Sequence, residues 1–333
     1  MKTRFLAVLT LLLLCLSIYA GGSQEESSTS AGTEAKAIER SVLVIAAPRS
    51  PASLPVLWLQ ENKPSEDFPD VKVELYSSME AMMALAQSDD VDLMLMPSNS
   101  AATMYNKGFN VSLLNVFQWG GLFLSSTDPD CNSWEDLKGK ELYVPSKGSV
   151  PDMVTQLFLK NNNLTIGSDL TVVYSNHAEI AQLLGSGTIS YAVDVQPFVT
   201  ANSESLANYH IISEYRIDWK NLAGEGVKMP GFCTLIKGNS CPADPEMVNR
   251  AFETAVKTIA ENQQMSGELA NKYINANANL IAKSISGFNF SFMAASDITA
   301  DVNKYLELLY SMKPAVVGGK MPDEGFLYSN DKE

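Results

Sequence analysis

The sequence predicts an α/β fold made of two similar strand–helix units, and three observations lead to this prediction. Short continuous apolar runs, of which Val42 to Ala46 is the first, alternate with stretches of helical periodicity. Such unbroken apolar strands are typical of sheets that helices cover on both faces. The alternation runs as far as Ser125 and restarts near Trp134, and the chain is long enough for one large or two coupled domains.

In the first unit, strands and helices follow one another with turn residues between them. The predicted elements are strand 42–46, helix 54–60, strand 71–76, helix 79–87, strand 92–96, helix 99–105 and strands 111–116 and 122–125. Because a helix separates most of the successive strands, the pattern predicts a parallel sheet.

The second unit repeats the pattern after Trp134. Its predicted elements are strand 141–144, helix 151–161, strand 170–174, helix 178–184, strand 189–193, helix 197–205 and strand 209–212. Pro151 suits the first turn of its helix, where the missing backbone N–H would have no intrahelical partner in any case.

The last third of the chain is mainly helical. A strand at 232–236 precedes helical runs at 246–263, 269–274 and 299–312. We therefore expect two lobes, with the last third returning to the first lobe. The predicted division is a signal peptide at 1–20, a flexible linker at 21–39, lobe 1 at 40–127, lobe 2 at 128–222, the return to lobe 1 with C-terminal helices at 223–312, and a tail at 313–333.

The N-terminus has the layout of a secretory signal peptide. Lys2 and Arg4 precede an apolar run from Phe5 to Leu16, and the small residue Ala20 follows. The run is shorter than the ~20 residues that span a bilayer. We expect cleavage after Ala20 and a periplasmic protein, with lipidation of Cys15 as the minority alternative. The segment at 21–37 lacks aromatic residues, which predicts a tether.

Acidic residues outnumber basic ones by 38 to 24, which gives a net charge of −14. A basic stripe for phosphate backbones is absent from the sequence, so nucleic acid is not an expected partner. Besides Cys15 the chain has Cys131, Cys233 and Cys241, and an odd number leaves at least one thiol unpaired. A disulfide between Cys233 and Cys241 stays open. No cysteine or histidine has the spacing of a zinc ligand, so no metal is expected.

The sequence contains no catalytic constellation. His177 and His210 are the only histidines, and a G-x-S-x-G nucleophile motif is missing. His177 follows Ser175 and Asn176, which is more typical of a helix cap than of a general base. We expect a protein that is not an enzyme and that uses no cofactor.

Ligands of open α/β sheets lie beyond the carboxyl ends of the strands, near helix N-termini. This rule selects the loops at 47–53, 76–80, 97–100, 145–152 and 194–198. The predicted ligand-binding residues are Arg49, Ser50, Ser53, Ser78, Ser98, Asn99, Trp119, Ser146, Gly148, Ser149, Asp194 and Gln196.

The loop from Ser146 to Ser149 is the sharpest local signal. A glycine-containing loop at a helix start presents free backbone N–H groups to an anion or a polar ring edge. The alternative is an ordinary cap formed by Ser149. Arg49 favours an anion, whereas aromatic side chains favour a planar ligand. The aromatic candidates for stacking are Trp119, Tyr174, Phe198, Trp219 and Phe232.

Three stretches resemble a family of bacterial ABC-transporter substrate-binding proteins, the group that handles nitrate, taurine, sulfonates and thiamine-pyrimidine precursors. They are Asp92 to Asn99 with Tyr105 to Gly108, Ser133 to Lys140 with Tyr143 to Ser149, and Ala192 to Phe198. The resemblance covers about residues 41–312. The run from Trp134 to Lys140 is common among such proteins and indicates the superfamily more than the ligand.

The resemblance implies a type II periplasmic-binding fold, with two α/β lobes and a ligand cleft between them. It implies capture of a small organic or anionic solute by a monomer and delivery to an ABC permease in the inner membrane. Gln196 stands where relatives often carry Glu. A ligand-binding sensor and, further away, a pyrimidine-synthase-like enzyme are the alternatives; the Cys-rich iron motif of that enzyme is absent from this sequence.

Overall fold

A computed structural model of the chain describes residues 41–238 and 241–329. The predicted signal peptide, nearly all of the linker and the last four residues lie outside the described residues. Each helix within the described part is too short or too polar to cross a bilayer.

Eleven strands and twelve α-helices make up the described part of the chain. The strands are β1 (Val42–Pro48), β2 (Asp70–Tyr76), β3 (Leu93–Pro97), β4 (Val111–Trp119), β5 (Phe123–Ser126), β6 (Glu141–Pro145), β7 (Thr171–Ser175), β8 (Tyr191–Asp194), β9 (His210–Glu214), β10 (Pro230–Lys237) and β11 (Phe290–Ala294). The helices are α1 (Leu54–Glu61), α2 (Met79–Gln87), α3 (Ser98–Asn106), α4 (Val150–Asn161), α5 (His177–Gly185), α6 (Phe198–Ser205), α7 (Tyr215–Asp218), α8 (Lys220–Ala223), α9 (Pro245–Glu261), α10 (Gln263–Ile274), α11 (Ala278–Ser284) and α12 (Thr299–Met312).

The strands form two sheets, each of which is the centre of one lobe. The first lobe contains a six-stranded sheet with the order β11-β4-β10-β3-β1-β2. The second lobe contains a five-stranded sheet with the order β7-β6-β8-β5-β9. The two-lobed α/β prediction is confirmed, and strands from the start and the end of the chain share the first sheet. The predicted residue bounds of the lobes stay a prediction.

The prediction of parallel sheets is wrong for about half of the strand pairs. In the first sheet β1 pairs in parallel with β2 and β3, but β10 is antiparallel to both β3 and β4, and β11 is antiparallel to β4. In the second sheet β5 is antiparallel to β8 and β9. The reason is topological. The chain leaves the first lobe through β4 and returns through β10, so these neighbouring strands run in opposite directions.

The helical periodicity of α9 reflects its burial against the first sheet. Val248, Phe252 and Ile259 are buried and share a core with Ile45 of β1 and Phe117 of β4. The Phe117 and Phe252 ring centroids lie 6.2 Å apart. This packing fixes the position of β4. It thereby also fixes the carboxyl end of β4, from which the chain crosses to the other lobe.

Several parts of the chain differ from the sequence prediction, which did not include the short helices α7, α8 and α11. The strand β11 was not predicted, and the predicted tail is an ordered part of the first lobe as far as residue 329. Phe326 is buried against the Tyr105 ring at 5.4 Å, and the Leu113 amide donates to the Phe326 carbonyl at 2.7 Å. The segment is too polar and too rich in Gly and Pro to show a periodic pattern, so only its tertiary contacts reveal its order.

The three cysteines of the described residues are not joined by disulfide bonds. Cys131 and Cys233 are buried, whereas Cys241 is half-buried. Burial raises the pKa of the Cys131 thiol to about 11 and that of Cys233 to about 12. The disulfide between Cys233 and Cys241 that the sequence left open is therefore not formed in this structure.

Candidate functional site

A cavity of about 370 Å³ lies between the two lobes, at the strand ends that face one another. This volume is within the ~300–1,000 Å³ that small-molecule sites occupy. Its first-lobe lining is Ser50, Pro51, Ala52, Pro97, Asn99, Gln118, Phe232, Gly287 and Phe288. Its second-lobe lining is Val150, His177, Val195 and Gln196. The rest comes from the crossing segments Gly120–Leu122 and Met229–Gly231 and from Tyr305 of α12.

Strand-end loops position these side chains, as the rule for open α/β sheets requires. Four of the five predicted loops contribute, namely those at 47–53, 97–100, 145–152 and 194–198. The fifth, at 76–80, lies outside the lining. The start of α5, after β7, contributes His177 instead. The same rule applied to the strand at 170–174 would have selected this residue.

The crossing between β4 and β5 depends on two glycines. Gly120 and Gly121 have φ angles of 70° and 100°, in the left-handed region that disfavours other residues. A Cβ on Gly120 would also overlap the Arg216 side chain. The backbone therefore turns sharply from one lobe into the other beside the cavity.

Three residues of the lining carry buried polar atoms that have no hydrogen-bond partner among the described residues. They are Asn99 Oδ1, Gln118 Oε1 and His177 Nδ1. Leaving such an atom unpaired costs about 1–3 kcal/mol, which native proteins rarely accept without a reason. Three of them around one cavity indicate a place where a small molecule supplies the missing partners.

His177 is the first residue of α5, and Asn176 caps that helix by accepting from the Glu179 amide at 2.9 Å. The His177 ring lies parallel to the Phe198 ring, with centroids 6.4 Å apart. Burial lowers the pKa of His177 below its ordinary value of 6.5. The imidazole is therefore neutral at pH 7. The capping interpretation predicted the location but missed that the ring faces a cavity.

Three of the predicted site residues line the cavity, namely Ser50, Asn99 and Gln196. The Asn99 amide donates to the Val316 carbonyl at 3.3 Å. Gln196 Oε1 accepts from the Thr200 hydroxyl at 2.8 Å, which directs the amide nitrogen toward the first lobe.

Five predicted residues of the first lobe lie outside this lining. The Arg49 guanidinium donates to the Tyr273 carbonyl at 3.1 Å, on α10. Ser53 and Ser98 are fully buried, and their hydroxyls donate to the carbonyls of Ser50 and Gly231. Ser78 caps α2. Trp119 is buried, and its indole nitrogen donates to the Ser291 carbonyl at 2.7 Å.

The predicted anion-binding loop at 146–149 is closed by a carboxylate of the protein itself. Asp152 is 2 % exposed, and its Oδ2 accepts from the Gly148 amide at 2.7 Å. Its Oδ1 accepts from Gln156 at 2.7 Å and from the Tyr174 hydroxyl at 3.0 Å. The Ser149 hydroxyl donates to the Pro145 carbonyl at 2.9 Å and does not cap α4. Ser146, Gly148 and Ser149 therefore lie near the cavity but outside its lining.

Asp194 is buried beneath the cleft, at 1 % exposure. Its Oδ2 accepts from the Tyr209 hydroxyl at 2.9 Å and from Ser125 and Asn202 at 3.2 Å each. Burial raises the pKa of Asp194 above its ordinary value, while these hydrogen bonds oppose the shift. Its partners all belong to the second lobe, and Asp194 does not line the cavity.

The contacts between the two lobes include an ion pair and a close side-chain contact. Lys283 of α11 and Glu204 of α6 form an ion pair at 2.6 Å. The Gln196 side chain packs on Gly287, where a Cβ would lie 2.8 Å from Gln196 Cδ, closer than Cβ atoms approach other atoms. Gly287 is therefore the residue that lets the second lobe approach the first this closely.

Within the described residues, no three His, Cys, Asp or Glu side chains converge in a way that would hold a metal ion. Larger cavities of about 960 Å³ and 690 Å³ lie beside the C-terminal segment, and one of about 550 Å³ lies beside Trp119. None of these three cavities is lined by any of the five predicted strand-end loops, so the cleft cavity is the candidate site.

Comparisons with known proteins agree with this architecture. A model of the ABC-transporter periplasmic phosphonate substrate-binding family matches residues 67–321. An ABC-transporter structure from Parabacteroides distasonis is 22% identical, covers 87% of this chain and 100% of its own, and has a TM-score of 0.75. The aliphatic sulphonate-binding protein of Escherichia coli is 14% identical, with 87% and 92% covered and a TM-score of 0.67.

The periplasmic nitrate-binding protein of Synechocystis is more distant, at 12% identity and a TM-score of 0.53, with 76% of this chain and 73% of that one covered. At these identities the likeness of the structures concerns the fold alone. No curated protein sequence matches the chain significantly. The family match extends to residue 321, nine residues past the end of the resemblance found in the sequence.

Proposed function

The chain belongs to the family of ABC-transporter periplasmic phosphonate substrate-binding proteins, and we propose that the cleft cavity is the site at which it captures its solute. The observation that carries this proposal is that one interlobe cavity is lined by three residues, Asn99, Gln118 and His177, each of which has a buried polar atom without a hydrogen-bond partner among the described residues. The family is one of transport proteins, which agrees with the prediction that the chain is not an enzyme.

Capture depends on closure of the two lobes. A solute that contacts both lobes stabilises the closed state relative to the open state by its differential binding energy. The Lys283–Glu204 ion pair and the contact of Gln196 with Gly287 exist only when the lobes lie close together. Closure also brings the outer faces of the lobes into one arrangement, which an ABC permease distinguishes from the empty protein.

The site residues at the centre of this proposal are Ser50, Asn99, Gln118, His177 and Gln196. Ser50 and Asn99 approach a solute from the first lobe, and His177 and Gln196 approach it from the second. Three of these five, Ser50, Asn99 and Gln196, are among the twelve residues that the sequence selected. The other nine of the twelve support the loops or lie away from the cavity. The solute is a small organic molecule or anion.

The proposed maturation follows from the N-terminal sequence. Cleavage after Ala20 releases a periplasmic monomer that has its globular part behind a linker at 21–39. The alternative is lipidation of Cys15. Mass determination of the exported protein distinguishes them, since cleavage after Ala20 removes Cys15 whereas lipidation leaves it as the first residue.

Replacement of Gly287 tests the proposed site. In Gly287→Ala the new methyl group overlaps the Gln196 side chain, so the closed state is destabilised and solute binding weakens. We expect a smaller thermal shift with a binding solute and less compaction by small-angle scattering. Gly185→Ala is the matched control, because no atom lies within 4 Å of its added Cβ. Equal binding and compaction in the two variants would contradict the proposal.

A further inference from the structure

A second cavity between the two lobes, with a volume of about 550 Å³, shares no lining residue with the cleft cavity. Trp119 and Lys228, which directly precede the two crossing segments, both line it, and we call it the hinge cavity. The first lobe also contributes Phe290 at the start of β11, and the second lobe contributes Ile217 and Lys220. The volume is within the ~300–1,000 Å³ that small-molecule sites occupy.

Part of the hinge-cavity lining is apolar. Trp119, Ile285 and Phe290 belong to the buried core of the first lobe. Ile217 on α7 is 54 % exposed, although it is a large apolar side chain. A ligand in the cavity would remove apolar surface of Ile217 from water, which favours a ligand with an apolar body. Trp119 is also a residue that the sequence selected for ligand contact and that the cleft cavity does not use.

The polar part of the lining carries more positive than negative charge. Its ionisable side chains are Arg216, Lys220, Glu225 and Lys228. Two of the three cations have carboxylate partners, since Arg216 pairs with Glu214 at 2.8 Å and Lys220 pairs with Glu225 at 3.6 Å. Lys228 is therefore the cation whose charge remains to be matched.

The contacts of the Lys228 ammonium among the described residues are with uncharged groups. Its Nζ donates to Met293 Sδ at 3.0 Å and lies 5.4 Å from the centre of the Trp119 ring. A thioether sulfur is only a weak acceptor. The backbone of this lysine is held in place, because the Lys228 amide donates to Asp301 Oδ1 at 2.7 Å. The structure thus holds a cation without a carboxylate partner at an apolar cavity, in a chain of net charge −14.

Charge and polarity together select the class of ligand. One unmatched cation fits a ligand with one negative charge, whereas a dianion would bring a second charge to a cavity whose other cations are already paired. The apolar part of the lining fits a hydrocarbon or aryl body. We propose that the hinge cavity binds an apolar monocarboxylate, with its carboxylate on Lys228 and its body against Trp119 and Ile217.

Such a ligand acts on the relation between the lobes. The hinge cavity has lining residues from both lobes, so its shape depends on the angle between them. A ligand that fits the cavity stabilises the arrangement in which the lobes lie close together. By linkage, this ligand and a solute in the cleft strengthen each other's binding. The effector role rests on the proposed function of the cleft, whereas binding to the hinge cavity does not.

Calorimetry and thermal shifts on the purified protein at pH 7.5 test the inference. Phenylacetate and hexanoate are the probes, and phenylacetamide and hexanamide are their uncharged counterparts. We expect at least one carboxylate to bind, and its amide to bind at least about 10-fold more weakly, because a hydrogen bond between charged groups is lost. Lys228→Gln should remove this preference, and Ile217→Ser should weaken the binding of carboxylate and amide alike. Lys138→Gln is the matched control, since Lys138 lines neither cavity.

Four outcomes would contradict the inference. Failure of both carboxylates to bind would overturn it, as would equal binding of a carboxylate and its amide. A carboxylate that binds Lys228→Gln as tightly as the wild type would lie elsewhere in the protein. Binding without greater compactness by small-angle scattering would overturn the effector role. The proposed function is tested separately, because it fails only if Gly287→Ala and Gly185→Ala bind solute and compact equally.

Discussion

At the scale of single residues, Asp194 shows how a residue predicted to contact the ligand takes a structural role through burial. The sequence placed it at the carboxyl end of a strand and selected it as a ligand contact. In the fold its carboxyl group accepts hydrogen bonds from Ser125, Asn202 and Tyr209 of its own lobe. Its role is therefore to connect β8 with β5 and with the start of β9.

Burial of Asp194 predicts a pH dependence of stability. Its pKa is raised above the ordinary value of 3.8, so the folded state holds this proton more tightly than the unfolded state. Its contribution to the free energy of unfolding is therefore greatest at low pH and is lost as the pH rises from 3.8 through the raised pKa. Urea unfolding at intervals from about pH 4 to about pH 7 should show the wild type losing stability relative to Asp194→Asn as the pH rises.

The comparison between the two proteins isolates one carboxyl group, since all other titrating residues are shared. Parallel stability curves for the wild type and Asp194→Asn across this range would mean that Asp194 has the same pKa in the folded and the unfolded state, which would contradict the prediction. The retained acceptor oxygen of the asparagine keeps the Tyr209 hydrogen bond available in the variant.

At the scale of elements, most strands and helices follow from the hydrophobic pattern. The helix predicted at 299–312 is α12, and that at 79–87 is α2, with the same bounds. The predicted run at 246–263 divides instead into α9, which ends at Glu261, and α10, which begins at Gln263. Asn262 separates the two helices with backbone angles of φ −118° and ψ 76°, which are not helical. One asparagine within a run of good helix formers does not reveal such a break in the sequence.

The C-terminal segment is an element that pattern could not reveal. Asn106 of α3 donates to the carbonyls of Val317 at 2.6 Å and Lys320 at 2.7 Å, and Thr103 donates to that of Val316 at 3.0 Å. These are side-chain to backbone contacts between residues more than 200 positions apart. They leave no periodic trace in the sequence.

Phe326 anchors this segment, and its removal should destabilise the fold. The side chain is 1 % exposed, so Phe326→Ala should lower the free energy of unfolding by about 3–5 kcal/mol, as for other buried aromatic residues. Tyr310→Ala is the control, since Tyr310 is 36 % exposed and surface changes stay within about 0.5 kcal/mol. Denaturant unfolding of both variants measures the difference, and similar midpoints would contradict the packing of the segment.

At the scale of the whole molecule, the relation between the lobes determines how tightly a solute is held. The Lys283–Glu204 pair joins α11 to α6 across the cleft, and both side chains are about half exposed. Exposed pairs contribute about 0.2–1 kcal/mol, which corresponds to a change of roughly 1.4-fold to 5-fold in affinity. Lys283→Gln should therefore weaken solute binding by that factor, and added salt should reduce the effect.

A second ion pair provides the matched control for this prediction. Lys138 and Glu135 are separated by 3.2 Å and lie within a single turn of the second lobe. Lys138→Gln removes the same charge from the surface without touching the cleft. Calorimetry on the two variants with one solute is the measurement, and equal losses of affinity would mean that only the net charge matters.

The amino-acid sequence by itself determined the α/β class, the two-unit organisation and the family, because apolar periodicity and short motifs are local properties of the chain. Of the five loops that the sequence selected, four line the cleft cavity. Tertiary structure alone decided which side chains of those loops reach the cavity. Ser53, Ser98 and Asp194 are buried and form hydrogen bonds within one lobe. Gln118 lines the cavity from inside a strand, and His177 lines it from a strand end that was not among the five selected loops. Strand direction was likewise decided by the return of the chain through β10, since hydrogen-bonded pairing between distant segments is not encoded in either segment alone.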